Sequence, residues 1–193
     1  AGSSLNLFTR DFTNRLVANF EIPTAWFQSI NSIFIIILSP FFASLWINLG
    51  RRLTQPYFGL KCAAGLLTMA LGFIVMFFAA QVAASGLKVA PSWLITTYFL
   101  HTVGELCMSP VALSAISKLS PKRFTGQMMG LFTLTYSIGS LLAGLIAGKF
   151  NPENVQEMPL LFLQIGAYSI IAGLIIGFCS LLVRQWESVQ IEK

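Results

Sequence analysis

HTVGELCMSPVALSAISKLSPKRFTG, residues 101 to 126, is an apolar run built around one carboxylate and closed by a basic loop. The carboxylate is Glu105, and of the seven acidic residues in the chain it alone falls inside a predicted membrane span. By translocon scales a charged side chain at the centre of a membrane helix costs roughly 2.5–3.5 kcal/mol, so a helix that keeps one turns it towards a cavity or a partner. Ser109 comes four residues later and shares the helical face of Glu105. Pro110 removes a backbone donor from the helix interior, which predicts a kink beside the carboxylate. Lys118, Lys122 and Arg123 then supply positive charge at the end. A buried acid, a hydroxyl on its face, a helix break and a basic loop read together as a transport site. The competing reading is a glutamate tied to a neighbouring helix for structure alone.

The rest of the composition agrees with a membrane setting. The chain is 55% hydrophobic and only 10% charged, whereas a soluble domain carries about 25% charged residues. This composition implies an all-α fold, a polytopic transmembrane helical bundle. The formal charge of +5 does not point to nucleic acid, because the Lys and Arg residues sit at the ends of apolar runs, where membrane topology puts them. Cys62, Cys107 and Cys179 lie in apolar runs without metal-ligand spacing and read as small hydrophobes. There is no initiator Met and no signal-peptide pattern, and the chain opens abruptly in a semi-apolar stretch, as a piece of a longer protein would.

In order, Ala1–Phe8 is too short to span and reads as the tail of a helix. Thr9–Phe20 reads as a polar loop, and Glu21-Ile22-Pro23-Thr24 as a helix start. The first full span is about residues 24–49, with Pro40 inside, and exceeds the ~20 apolar residues that a crossing needs. The second is about 57–84, with Lys61 near its start and Gly59, Gly65 and Gly72 as sites of close helix approach. The third, about 92–117, holds Glu105. The fourth, about 124–150, contains two GxxxG pairs, Gly126/Gly130 and Gly144/Gly148, which read as tight packing positions. The fifth is about 158–183, with a polar tail after it.

Five spans alternate sides. Arg51, Arg52, Lys61, Lys118, Lys122, Arg123, Arg184 and Lys193 fall on one side, and Arg10, Arg15, Lys88 and Lys149 on the other. The eight-to-four excess makes the first side cytoplasmic. In a cysteine-free background on intact cells, an impermeant thiol reagent is therefore expected to label Lys88→Cys and to spare Gln55→Cys. The opposite pattern reverses the topology.

Nothing in the sequence resembles a catalytic constellation, a Walker motif or a selectivity filter. His101 is the single histidine, so no histidine cluster exists to bind a metal, and no cofactor is implied. Four residues before Glu105, it can pair with that carboxylate, bond a backbone carbonyl or face water. In TAWFQSINS, Gln28 and Asn31 are costly to bury unsatisfied and either bond neighbouring helices or reach a ligand. Trp26 reads as an interface anchor, and Phe132 with Tyr136 as a core or lipid-facing aromatic face.

GELCMSPVALSAISKLSPKRFTGQMMG closely resembles the signature region of the proton-dependent oligopeptide transporter family of the major facilitator superfamily. WFQSINSIFIII resembles a second stretch of that family, usually WFQSxNPxF, and AGSSLNLF resembles the segment after its seventh helix. The resemblance covers nearly the whole chain. It implies the C-terminal half of a twelve-helix transporter, with the end of helix seven followed by helices eight to twelve. It further implies a di- or tripeptide ligand, a coupling proton, a bacterial cytoplasmic membrane, and a missing N-terminal helical bundle as partner. By resemblance, Glu105 takes the peptide's amino group, Asn31 assists, Ser109 lines the same pocket, and Phe132 stands where the family usually has Trp. That replacement keeps an aromatic wall and loses the indole N–H. Ser32 replaces the usual Pro. The family's other proton- and carboxylate-binding residues would lie in sequence upstream of Ala1, so this chain by itself is not expected to transport.

The rival functions are a relative carrying nitrate or another small solute on the same scaffold, and a non-transporting membrane scaffold. A cationic amino group suits Glu105 better than nitrate does. A scaffold would tie up Glu105 structurally and leave no central cavity.

Overall fold

The computed structural model describes residues 2–17, 20–52, 58–147 and 155–191. Its elements are α1 (Gly2–Phe12), a two-stranded antiparallel hairpin of β1 (Leu16–Val17) and β2 (Phe20–Glu21), α2 (Thr24–Arg52), α3 (Phe58–Ala84), α4 (Pro91–Leu119), α5 (Thr125–Ala147), a 3₁₀ turn at Val155–Glu157, and α6 (Met158–Ile191). Five helices are long and apolar enough to cross a membrane, over Thr24–Leu49, Gly59–Ala84, Pro91–Ser117, Thr125–Leu145 and Met158–Leu182. Residues 53–57, with Tyr57, and Gly148 and Lys149 lie outside the described residues. Apart from that short hairpin, the helical architecture expected from composition is the one observed, with helices of membrane-crossing length and apolarity.

The stretch read as a polar loop from Thr9 is different. α1 carries on to Phe12, because Leu5, Phe8 and Phe12 share one helical face and Leu5 and Phe8 are buried. The Phe8 ring meets Phe162 of α6 edge to face at 6.0 Å. Arg15 then pairs with Glu21 at 2.7 Å across the hairpin. The Asn14 N–H donates to the Val89 carbonyl, and the Val89 N–H to the Phe12 carbonyl, each at 2.9 Å. This backbone clip holds the segment after α1 and the turn before α4 at the same end of the bundle, as alternation of spans requires. The polar tail after the last span also continues as helix, to Ile191.

α3 is the central helix and packs along α4 and α6. Its glycines explain the closeness. A Cβ added at Gly65 would stand 2.8 Å from the Gly104 carbonyl oxygen, and one added at Gly104 would stand 2.7 Å from the Gly65 carbonyl oxygen. The two backbones therefore touch with no room for a side chain on either. Gly72 makes the same allowance for the His101 ring, and Gly59 for Ser180 of α6. The expectation for α5 fails within this chain. Among the described residues, nothing lies within 4 Å of a Cβ added at Gly126, Gly130 or Gly144. The motif records small residues, but α5 stands apart from α3 and α6, and its described surface is mostly exposed. That separation leaves a space between α5 and the helices that face it.

Candidate functional site

The α4 face that carries Tyr98, His101 and Glu105 repeats at three and four residues, so these side chains stack along one stripe. Opposite it stand Gln28, Asn31 and Ser32, near the start of α2, and Tyr136, Ser140, Ala143 and Gly144 on α5. Leu5 of α1 and Met69 of α3 complete the wall. Together they enclose a cavity of about 520 Å³. That volume lies within the ~300–1,000 Å³ typical of small-molecule sites.

The structure brings Glu105 and Asn31 to the same cavity. Ser109 and Phe132 are not among its lining residues. Ser109 lies one turn further along α4, about 6 Å by helix rise, and is exposed. Phe132 lies one turn before Tyr136, which takes the place at the wall. The aromatic pair on α5, read from sequence as a core or lipid-facing surface, thus contributes its tyrosine to the cavity. Tyr136 is 72% exposed within the chain.

The carboxylate of Glu105 forms no hydrogen bond or ion pair with any other described residue, and the residue is exposed to the cavity. His101 does not pair with it. The imidazole is buried, lies against the Phe73 ring at 4.7 Å between centroids, and its Nε2 has no hydrogen-bond partner among the described residues. The ring edge belongs to the cavity wall. Asn31 is anchored by a buried hydroxyl on the facing helix. Thr102 donates to Asn31 Oδ1 at 2.6 Å and also approaches the Tyr98 carbonyl at 2.8 Å.

Sequence reasoning does not single out Thr102 or Tyr98, and it places Tyr136 only on an aromatic face. Tyr98 had a usable signal, because it lies seven residues, two turns, before Glu105. Thr102 had none, since a threonine in an apolar helix ordinarily bonds its own backbone.

Arranged this way, the cavity offers one anionic acceptor, amide and hydroxyl groups around it, and an aromatic wall. It suits a small zwitterionic or cationic ligand. Among the described residues that line it, no activated nucleophile stands next to a general base, the pairing that covalent catalysis needs.

Comparison with known proteins agrees. A family model described as the POT family matches residues 1–170. The peptide transporter YePEPT of Yersinia enterocolitica is 42% identical over 90% of this chain and 34% of its own length. Dipeptide and tripeptide permease A of Escherichia coli is 32% identical over 90% of this chain and 36% of its own. A crystal structure of a peptide transporter POT in complex with alafosfalin superposes with a TM-score of 0.78 at 39% identity, over 90% of this chain and 34% of that one. A POT family transporter in complex with 5-aminolevulinic acid gives 0.79 at 26% identity, over 93% and 37%. The chain spans about a third of the length of these relatives. With five apolar spans and bacterial permeases among its relatives, it is a multi-pass protein of the cytoplasmic membrane. Signature stretch, helical architecture and family match converge, and the chain belongs to the POT family of transporters.

Proposed function

We propose that this chain supplies the C-terminal helical bundle of a proton-coupled symporter of di- and tripeptides. It would form one wall of the peptide site and leave the other wall to an N-terminal bundle. The observation that carries the reading is Glu105, a carboxylate in the middle of a membrane span that faces a cavity shared with Asn31 and has no partner among the described residues. Such a group suits the peptide's ammonium when substrate is present, and a lysine from the opposite bundle when the site is empty. Exchange between these partners couples occupancy to conformation, because only a ligand with differential affinity for two states shifts their balance. Two bundles rocking about a midplane site provide the states. The second bundle would complete the cavity that α2, α4 and α5 line here. Ser109 and Phe132 would extend the same pocket along α4 and α5 once that bundle is in place. The reaction is transport, with no bond of the substrate broken.

The test is uptake of a labelled dipeptide into proteoliposomes that hold the complete transporter. An inward proton gradient should drive accumulation above equilibrium, and a protonophore should abolish it. Equal uptake with and without the gradient would remove proton coupling. Uptake of nitrate in place of the dipeptide would favour the small-solute reading.

A further inference from the structure

α2 presents two different faces near its start. Gln28, Asn31 and Ser32 line the polar cavity, while Trp26, Ser29, Ile30 and Ile33 repeat at three and four residues on nearly the opposite side of the helix. With Pro91 and Ile95 of α4 beside it, that second face lines a separate groove of about 520 Å³. Apart from the Trp26 indole, its one polar lining side chain is Ser29, whose hydroxyl already donates to the Ala25 carbonyl at 3.2 Å. Such a lining suits hydrocarbon. From Trp26 to Ile33 is about 10 Å of helix rise, so the groove lies within one leaflet of a ~30 Å hydrocarbon core. It is the leaflet at the end of α2 that the count of basic residues places outside. The groove faces away from the cavity and so meets the bilayer, not the bundle that completes the cavity.

An ion pair stands at its head. Ile22, which lines the groove just before α2, donates its N–H to the Arg15 carbonyl at 3.0 Å and accepts from Arg15 Nη1 at 3.4 Å. Arg15 Nη2 meets Glu21 Oε1 at 2.7 Å. These contacts use two of the five N–H donors of a guanidinium, and the Glu21 side chain is 60% exposed. A cation and an anion thus sit together above an apolar slot, with a tryptophan at its edge, the residue type that gathers at headgroup level.

We propose that this groove is a site for phosphatidylethanolamine of the outer leaflet. One acyl chain lies between α2 and α4, the phosphate takes donors of Arg15, and the ethanolamine ammonium donates to Glu21. Phosphatidylcholine fills the groove equally well, but its quaternary ammonium has no proton to donate to Glu21. An anionic headgroup such as phosphatidylglycerol brings no cation for Glu21 at all. An occupied groove braces the start of α2, the helix that carries Gln28 and Asn31 to the cavity on its other face.

The experiment titrates the complete, delipidated transporter in detergent with phosphatidylethanolamine, phosphatidylcholine or phosphatidylglycerol of identical acyl chains. Native mass spectrometry counts bound lipid, and thermal unfolding is followed alongside. The original protein should bind phosphatidylethanolamine about tenfold more tightly than phosphatidylcholine, the worth of one charge-assisted hydrogen bond, and should unfold at higher temperature with it. Glu21→Gln should bring those two lipids level, and Arg15→Gln should weaken both. Ser29→Phe fills the groove without touching the ion pair and should weaken all three lipids. Ile36→Phe, at a 74% exposed position of α2 outside the groove, should change none. These last two variants keep the test decisive if loss of the ion pair unfolds the hairpin. Equal affinity of the original protein for phosphatidylethanolamine and phosphatidylcholine overturns the proposal, and so does the same lipid binding in Ser29→Phe as in Ile36→Phe. If Ser29→Phe leaves lipid binding unchanged and weakens dipeptide transport instead, the groove belongs to a helix of the other bundle and the lipid assignment falls.

Discussion

Glu105→Gln is expected to weaken binding of dipeptides with a free amino terminus by at least ~10-fold in the complete transporter, and to abolish most of their uptake. Glutamine keeps the shape of the side chain and one acceptor oxygen, but loses the charge. A hydrogen bond to a charged group contributes roughly 1.5–3 kcal/mol net, against about 1 for a neutral pair. The cavity wall around Glu105 includes Tyr98, His101 and Met69, and its lining is drawn from α1, α2, α3, α4 and α5. Such shielding puts the difference at the larger end of that range. The substitution should leave assembly intact, because the carboxylate bonds no other described residue. A structural glutamate would behave in the opposite way, losing folded protein while the surviving fraction binds normally.

Gly104→Val should lower stability more than any substitution on the lipid-facing surface. The helix before Glu105 touches α3 backbone to backbone. A Cβ at Gly104 would overlap Met69 Cγ and stand 2.7 Å from the Gly65 carbonyl oxygen. The methionine end can swing away, but the carbonyl is fixed in the hydrogen-bond ladder of α3. The helices must separate, and overpacking of this kind costs about 1–3 kcal/mol. Gly65→Val should do the same from the other side, since its Cβ meets the Gly104 oxygen at 2.8 Å. Ala64→Val, on an exposed position of α3, is the control and should change stability by no more than about 0.5 kcal/mol. Thermal unfolding in detergent reads all three. Equal midpoints for Gly104→Val and Ala64→Val would contradict the close crossing. Since Gly104 immediately precedes Glu105, a folded Gly104→Val protein should also bind dipeptides more weakly.

The spans were legible in the sequence because the length of an apolar run is a local property set by bilayer thickness. Glu105 was legible for a related reason, as one charge in an apolar stretch. Asn31 and Gln28 stood out in the same way near the start of α2. What each helix faces was harder to read. A soluble helix shows its buried side by a polar opposite side, but a helix in lipid is apolar all round. The α5 surface with Phe132 and Tyr136 therefore gave no sign of which aromatic meets the cavity. The glycines divide along the same line. Gly65 and Gly72 do sit at close crossings, but Gly126 and Gly130 carry an equally good pattern and meet no helix among the described residues. Small size permits close approach without saying what approaches. The end of α1 beyond Phe8 was hidden because Arg10 and Asp11 make its last turn look like a loop. Those two side chains pair with each other at 2.7 Å on the exposed side, while Phe8 and Thr9 are buried behind them.

Glu105 as the partner of the substrate's ammonium group is the central assignment. The most direct measurement is competition by a free dipeptide and its N-acetylated form against a labelled dipeptide, in the original transporter and in Glu105→Gln at matched expression. The free peptide should lose at least ~10-fold in affinity on substitution. The acetylated one should be a poor competitor throughout and change little. Unaltered affinity of Glu105→Gln for the free dipeptide, or an equal loss for both peptides, would contradict the assignment and return Glu105 to a structural role.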